Sequence, residues 1–405
     1  MRFGVGVTLF VSAFAVHSTL ANAGDRIAKI GVLSDQSSLY ADSTGPGSTA
    51  AAQMAVDDSG LSAKGWKIEV ISGDHQNKPD VGAAIARKWL DTEAVDAIAD
   101  VPNSGVALAV NTVVREKNAV FLNSGAATSD LTGEQCSPNT VHWTYDTYML
   151  SHGTGAALAK QGGNTWFFVT ADYAFGKAME RDTSEVVQAA GGRILGGVKH
   201  PLNTSDFSSF LLQAQSSRAK VIALANAGGD TSNAIKQAKE FGIVEGGQKL
   251  AALLLFITDV HAMGLDAAQG LSFTTSFYWD RDDGTRDFSK RFQERVKSGF
   301  KPTLIQAGVY ASVAHYLKVL DAQGGNPHDG KAIVAKMKEM PTEDALFGKG
   351  TIREDGRKLH PAYLYEVKKP SESKAPWDYY KLVSIIPPEE AWAPLSGSKC
   401  ALVRK

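Results

Sequence analysis

The chain has 405 residues, 42 basic against 43 acidic side chains for a formal charge of −1, 43% apolar residues and 39 glycines spread along its length. That length is too great for one ordinary domain and suits two, while the balanced charge leaves no electrostatic footprint for DNA or RNA. The apolar fraction is enough for packed cores, so a disordered chain is excluded as well.

The first expected element is a leader. Arg2 supplies the charged start, residues 3–16 a short apolar run, and Ala21-Asn22-Ala23 the small-x-small pattern after which signal peptidase cuts. Residues 1–23 are therefore expected to be removed, leaving Gly24 first. The run is shorter than the about 20 residues of a spanning helix, and no later stretch is longer; an uncleaved anchor is the alternative. With no cysteine at the cut, as a lipoprotein would need, the product is expected free in the periplasm or secreted.

From 28 to 122 short β-branched runs alternate with amphipathic stretches, giving strands at 28–33, 67–71, 97–99 and 120–122 and helices at 48–58, 81–90 and 106–114. After a polar segment around Cys136 the pattern repeats. Helices are predicted at 150–160, 175–190, 207–215 and 231–241, and strands at 166–170, 193–198, 221–225 and 250–256. Two α/β units, each a doubly wound parallel sheet with right-handed crossovers, follow one another.

The remaining chain continues neither series. Helices at 287–298, 305–320 and 332–340 lack intervening strands, and strands at 350–352, 362–367 and 379–385 form a meander. Such helices cannot build a third α/β domain, so they are expected to cover the first sheet while the final strands extend the second. Lobe 1 then comprises 24–145 with 281–345, lobe 2 comprises 146–280 with 346–385, and 386–405 is a tail. Three segments cross between lobes, near Tyr145, Phe277 and Leu346. Cys136 and Cys400, the only cysteines, are expected to form a disulfide in an oxidising compartment, worth about 4–5 kcal/mol in chain-entropy terms, with two buried free thiols as the alternative.

In open parallel sheets ligands sit beyond the carboxyl ends of strands. In the first unit those loops read Ser34-Asp35-Gln36-Ser37-Ser38-Leu39-Tyr40, then Val101-Pro102-Asn103-Ser104-Gly105, then Asn123-Ser124-Gly125-Ala126-Ala127-Thr128. Hydroxyls, amides and glycines dominate and basic side chains are absent, a composition that can hold a carboxylate by N–H and O–H donors. Asn103, Ser104, Ser124 and Thr128 read equally well as helix caps. In the second unit the loops are Thr170-Ala171-Asp172-Tyr173-Ala174-Phe175-Gly176 and Asn226-Ala227-Gly228-Gly229-Asp230, and the crossover adds Ser276-Phe277-Tyr278-Trp279. Aromatics at strand ends can cover a ligand, although core packing explains any single one.

These stretches resemble type I periplasmic solute-binding proteins of the branched-chain amino-acid (Leu/Ile/Val-binding) family, which serve ABC importers. The resemblance spans essentially the whole mature chain. It rests on Lys29-Ile30-Gly31-Val32-Leu33-Ser34 leading into Gly45-Pro46-Gly47, on Asn123-Ser124-Gly125-Ala126, on Asp172-Tyr173-Ala174-Phe175-Gly176, its most specific part, and on Gly229-Asp230 opening a helix. It implies two lobes joined by three crossovers, closing as a monomer over a small carboxylate and presenting it to a permease in the inner membrane. It implies that the loops around Asn103-Ser104 and Ala126-Ala127-Thr128 hold the carboxylate and that Tyr173 closes from the opposite lobe. Amino-acid binders of the family place an acidic side chain near Asp230 to pair the ligand's ammonium, but an Asp opening a helix is also an ordinary N-cap.

The aromatic content of the expected cleft, Tyr40, Tyr145, Tyr173, Phe175, Phe277, Tyr278 and Trp279, resembles the branch of the family that collects aromatic acids and aromatic or branched keto acids. A binder of Leu, Ile, Val or Phe is the alternative ligand reading, and a ligand-sensing module for a signalling partner the alternative role. Ligand residues are expected at Tyr40, Asn103, Ser104, Ser124, Ala126, Ala127, Thr128, Tyr145, Tyr173, Phe175, Asn226, Asp230 and Phe277.

Other chemistries lose support. Gly45-Pro46-Gly47-Ser48-Thr49-Ala50 matches G-x-G-x-x-A, but residues 35–44 separate it from its strand and a proline stands where the turn must be tight. No nucleophile elbow or phosphate loop occurs, and His75, His142, His152, His200, His261, His315, His328 and His360 lack ligand spacing. No catalytic residue, cofactor or metal is therefore expected, and Asp57-Asp58 and Asp282-Asp283 read as solvated edges.

Overall fold

The computed structural model describes residues 1, 3–4, 26–323 and 326–404; apart from residues 1, 3 and 4, the expected leader lies outside the described residues. β1 (Ile27–Ser34), β2 (Lys67–Asp74), β3 (Ala97–Asp100), β4 (Val120–Asn123) and β5 (Thr140–His142) form a parallel sheet in the order β2-β1-β3-β4-β5. β6 (Thr165–Ala171), β7 (Arg193–His200), β8 (Val221–Ala225) and β9 (Lys249–Ala252) form a second in the order β7-β6-β8-β9. Each order reverses beside its first strand, so crevices open at the carboxyl ends between β1 and β3 and between β6 and β8.

The first sheet is covered on both faces, which is why β3 and β4 are buried throughout and read as continuous apolar runs. Ile98 and Phe121 pack with Trp89, Val106 and Val110 of the Pro79–Thr92 and Ser104–Lys117 helices. Ala97, Ala99 and Leu122 face the other way, with Ala51 and Met54 of Gly45–Asp58 and Val309 and Val313 of Leu304–Gln323. Gly31 of β1 is obligatory in this packing, since a Cβ there would lie 2.5 Å from the Trp89 ring. The Asp283–Val296, Leu304–Gln323 and Gly330–Glu339 helices lie against the Gly45–Asp58 helix, β3 and β4, burying Phe292, Val309 and Val334 there.

The end of the chain departs from expectation. β13 (Ala362–Val367) and β14 (Tyr380–Ile386) do not extend the second parallel sheet; they pair antiparallel with β10 (Ser272–Thr275) in a separate sheet of order β10-β13-β14. The expected strand at 350–352 is replaced by a hairpin of β11 (Thr342–Asp344) and β12 (Gly348–Gly350). β10 and β5 carry too many hydroxyls and too few residues to register as strands by alternation, and it is β10 that supplies the edge the meander needs. Cys136 and Cys400 are bonded, with Cα atoms 5.5 Å apart.

A single hydrophobic cluster runs from lobe to lobe, joining Ile30, Val32 and Tyr40 to Phe168, Phe175, Ala223 and Phe256. The lobes therefore meet face to face across the crevices. A fully buried ion pair, Arg357 Nη2 to Asp146 Oδ2 at 3.0 Å, fixes the first crossover, where Asp146 also caps the Thr147–Leu150 helix by accepting from Met149 N–H at 2.8 Å. Burial lowers the Arg357 pKa to about 10, with Asp146 opposing.

Candidate functional site: a cleft between two sheets

The turn after β1 is organised by Asp35. Its Oδ2 accepts from Tyr40 N–H and Asn77 Nδ2 at 2.8 and 2.6 Å, and its Oδ1 from Ser38 N–H and Oγ at 2.9 and 2.8 Å. Burial pushes this carboxyl up, but those donors outweigh it and hold the pKa below the usual value. The result is a rigid loop that points Tyr40 across the crevice.

After β3 the backbone turns through two left-handed residues, Asp100 and Val101, with φ of 77° and 58°. Asn103 then caps the Ser104–Lys117 helix, its Oδ1 accepting from Gly105 and Val106 N–H at 2.9 and 3.2 Å. Its Nδ2 is buried without a partner among the described residues. Ser104 Oγ accepts from Thr128 N–H at 3.2 Å, which joins the loop after β3 to the loop after β4. Thr128 Oγ1 caps the next turn by accepting from Asp130 N–H at 3.3 Å. Gly125 is required at the junction: a Cβ would fall 2.5 Å from Asp100 Oδ1 and 2.6 Å from Pro102 Cα. Its carbonyl accepts from Tyr145 O–H at 2.7 Å. The Ala126 carbonyl is held by Asn123 Nδ2 and His142 Nε2, that of Ala127 by Thr147 N–H, and the Ser124 hydroxyl faces Ser312 at 3.3 Å.

From the second lobe Tyr173, at the entry of the Ala174–Ala189 helix, places its hydroxyl 2.7 Å from that of Tyr40. Both phenol pKa values are raised by burial. Gly228, with φ of 61°, lets the loop after β8 approach Leu39, whose carbonyl would lie 2.9 Å from a Cβ. These contacts close the lobes to a gap of about 10 Å³ between them. Of the expected ligand residues, Tyr40, Ala127, Tyr145, Tyr173 and Phe175 line it together. Among the described residues no Lys, Arg or His lines it, so an anion there meets only N–H and O–H donors.

Several expected residues have other partners. Asn103, Ser104, Ser124, Ala126 and Thr128 stand one layer behind the wall, in the bonds described above. Asn226 Oδ1 accepts from Thr231 Oγ1 at 2.7 Å and its Nδ2 lies 3.1 Å from His200 Nε2; with His200 Nδ1 2.9 Å from the Pro201 carbonyl, the neutral ring donates from Nδ1 and accepts at Nε2. Asp230 does not cap its own helix, whose N-cap is Gly228; both its oxygens accept from the neighbouring loop, Oδ1 from Thr204 N–H at 2.8 Å and Oδ2 from Asn203 N–H at 3.2 Å. Burial raises its pKa to about 7 against those two bonds. Phe277 packs edge-on against Phe288, 6.2 Å between centroids, beside an adjoining gap lined by Tyr278 and Trp279. Sequence reasoning missed Ser43, Pro102, Gly125, Ala227, Leu254, Phe256 and Ile305, which complete the wall. Pro102 and Gly125 lay inside the loops already singled out, whereas Ile305 opens a helix far along the chain and carries no local signal.

Among the described residues there is no grouping of three His, Cys, Asp or Glu side chains suited to a metal, and no helix is long and apolar enough to cross a membrane. Residues 28–374 match the periplasmic binding protein family. The fold is similar to a periplasmic binding protein from Burkholderia mallei, 52% identical with a TM-score of 0.90 over 94% of this chain and 100% of that one. A branched-chain amino-acid ABC transporter periplasmic ligand-binding protein from Burkholderia xenovorans LB400 is 41% identical, TM-score 0.82, over 93% and 100%. An ABC transporter solute-binding protein from R. palustris in complex with benzoate shares the fold at 21% identity, TM-score 0.81, over 92% and 99%. Family and fold are those of non-enzymatic proteins that bind a small solute in the periplasm and work with a permease. The chain belongs to the periplasmic binding protein family, as a type I solute-binding protein of the branched-chain amino-acid group that serves ABC transporters.

Proposed function

We propose that the protein captures a small carboxylate bearing a ring, an aromatic acid or an aromatic keto acid, and closes over it by a hinge at the crossovers near Tyr145, Phe277 and Leu346. The carrying observation is the make-up of the cleft: a wall without a cation among the described residues, in which Tyr40 and Tyr145 of the first lobe meet Tyr173 and Phe175 of the second. The carboxylate is assigned to the loops around Ser104 and Ala126-Ala127-Thr128, whose donors open to it as the lobes part, and the ring to the aromatic wall. Burying the ring contributes about 1.5–3 kcal/mol, comparable to several hydrogen bonds at about 1 kcal/mol each, so ring and carboxylate share the affinity. In this reading the lobes are 24–145 with 281–345 and 146–280 with 346–385, and the permease recognises the closed form.

Among the described residues no Asp or Glu lines the cavity, and Asp230, which accepts from Asn203 and Thr204 N–H, stands outside its wall. That favours the keto and aromatic acids over Leu, Ile, Val or Phe. The similarity to a branched-chain amino-acid transporter's binding protein makes the amino acids the necessary competitors in the test. Titration calorimetry with phenylpyruvate, 4-hydroxybenzoate, phenylalanine and leucine is expected to show binding of the ring-bearing acids; tight binding of leucine with no response to those acids overturns the assignment.

A further inference from the structure

Behind the first lobe's loops lies a carboxyl group that the ligand reading does not use. Asp100 ends β3 wholly buried, with Oδ2 2.8 Å from Ser34 Oγ and the Ser48 hydroxyl also facing the carboxyl. Ser34 Oγ also lies 3.0 Å from Thr44 Oγ1 and 3.1 Å from Gly45 N, and Thr44 Oγ1 lies 3.0 Å from the Tyr40 carbonyl. Three contacts run in series, Asp100 to Ser34, Ser34 to Thr44, and Thr44 to the Tyr40 carbonyl, which also accepts from Ser43 N–H, Thr44 N–H and Ser43 Oγ at 3.1, 3.1 and 3.0 Å.

Each of the two hydroxyls carries one hydrogen, so with Asp100 ionised only two of the three contacts can be hydrogen bonds. A proton on Asp100 Oδ2 completes the series: Asp100 donates to Ser34, Ser34 to Thr44, and Thr44 to the Tyr40 carbonyl. The second lone pair of Ser34 then takes Gly45 N–H. The series ends on the residue whose side chain crosses the cleft to Tyr173. Its start lies under Gly125 and Pro102, both in the cavity wall.

We propose that Asp100 is a proton-linked positioning residue: protonated, it donates to Ser34 beneath the Tyr40 turn and leaves the loops above it free to take an anion, and ionised, it places a second negative charge behind the ligand's carboxylate. The proposal rests on the ligand reading above. The titratable groups facing Asp100 are Asp35, from the turn after β1, and Tyr145, from the first crossover; the Ser48 hydroxyl of the Gly45–Asp58 helix faces it too, and no cation does among the described residues. Burial raises its pKa to about 7, with Ser48 and Ser34 opposing and Asp35 assisting. Above that pH, capture of an anion takes up one proton from solvent.

The test is calorimetry with benzoate, which stays ionised throughout, from about pH 6 to about pH 8.5 in buffers of different ionisation enthalpy. The wild type is expected to lose roughly fivefold or more in affinity across that range and to take up a proton on binding at the upper end, whereas Asp100→Asn, which keeps a donor toward Ser34, holds a flat profile. A flat wild-type profile, or the same fall in Asp100→Asn, overturns the proposal. A ¹³C-carboxyl titration of the ligand-free wild type separates the two readings: a midpoint near neutrality supports Asp100 as described, and an ordinary carboxylate midpoint refutes it. Absence of benzoate and phenylpyruvate binding at every pH strikes the ligand reading instead.

Discussion

Tyr173 contributes to closure in two separable ways, by its ring against Phe175 and by its hydroxyl against Tyr40. Tyr173→Phe is expected to weaken ligand binding by about 1 kcal/mol, the net worth of one hydrogen bond, and Tyr173→Ala by about 3 kcal/mol as the buried ring is lost too, both read by calorimetry. Asp230 separates structure from recognition. Because Asn can accept through only one oxygen, Asp230→Asn should lower stability by about 1–3 kcal/mol in denaturant melts while leaving the ratio of phenylalanine to phenylpyruvate affinity unchanged. A selective loss of phenylalanine affinity would return Asp230 to the role of ammonium partner. These roles were only partly legible in the sequence. Tyr40, Tyr145 and Tyr173 stood out as aromatics at strand ends, but that both Asp230 oxygens serve residues 203–204 depends on how β7 and β8 bring two loops side by side around β6.

At the scale of elements, the loops after β3 and β4 are one device. Ser104 Oγ accepting from Thr128 N–H joins them, and Gly125 permits the contact with Asp100 and Pro102. Gly125→Ala forces a methyl into backbone and carboxyl oxygen, so it is expected to cost about 1–3 kcal/mol in denaturant melts and to lower ligand affinity with it. Unchanged affinity in a stable Gly125→Ala protein would remove these loops from the site. The inner parallel strands β3, β4 and β8 were readable because burial on both faces demands continuous apolar runs. β5, β10 and the β11–β12 hairpin were not: segments of only three or four residues take their extended form from a neighbouring strand, not from their own pattern.

At the scale of the whole molecule, pH and closure both leave readable marks. Asp100, Asp230 and Asp259 have pKa values raised to about 7 by burial, and the folded state therefore binds protons the unfolded chain has already released. Stability from these groups is complete below their unfolded values and is lost as pH rises toward and through 7. The buried histidines act oppositely. His75, lowered to about 4 by burial, and His142, His152, His200, His315 and His360, lowered by burial too, together let stability rise with pH up to the ordinary histidine value and oppose the carboxyls, which alone still titrate above it. The Tm is thus expected to peak a little below neutrality and to fall by pH 8, less steeply in Asp100→Asn; a Tm still rising from pH 6.5 to pH 8 contradicts the burial assigned to these carboxyls. Closure should be visible through Trp279, which bonds the Trp377 carbonyl at 2.9 Å and lies under the Lys301 ammonium at 3.8 Å, between the first lobe's returning helices and the antiparallel sheet. Ligand is expected to change tryptophan emission in the wild type and much less in Trp279→Phe.

Composition, periodicity and loop chemistry determined that this chain makes two α/β units with hydroxyl-rich and aromatic strand ends. Those features are local, and a buried parallel strand or a capped helix writes them into a few consecutive residues. Tertiary structure alone decided that Ile305 and Phe256 meet Tyr40 at one wall, that the last strands pair with β10, and that Asp100 stands buried behind the cleft 2.8 Å from Ser34 Oγ. Each of these joins groups far apart in sequence or in separate elements, and no window of neighbouring residues records the distance between them.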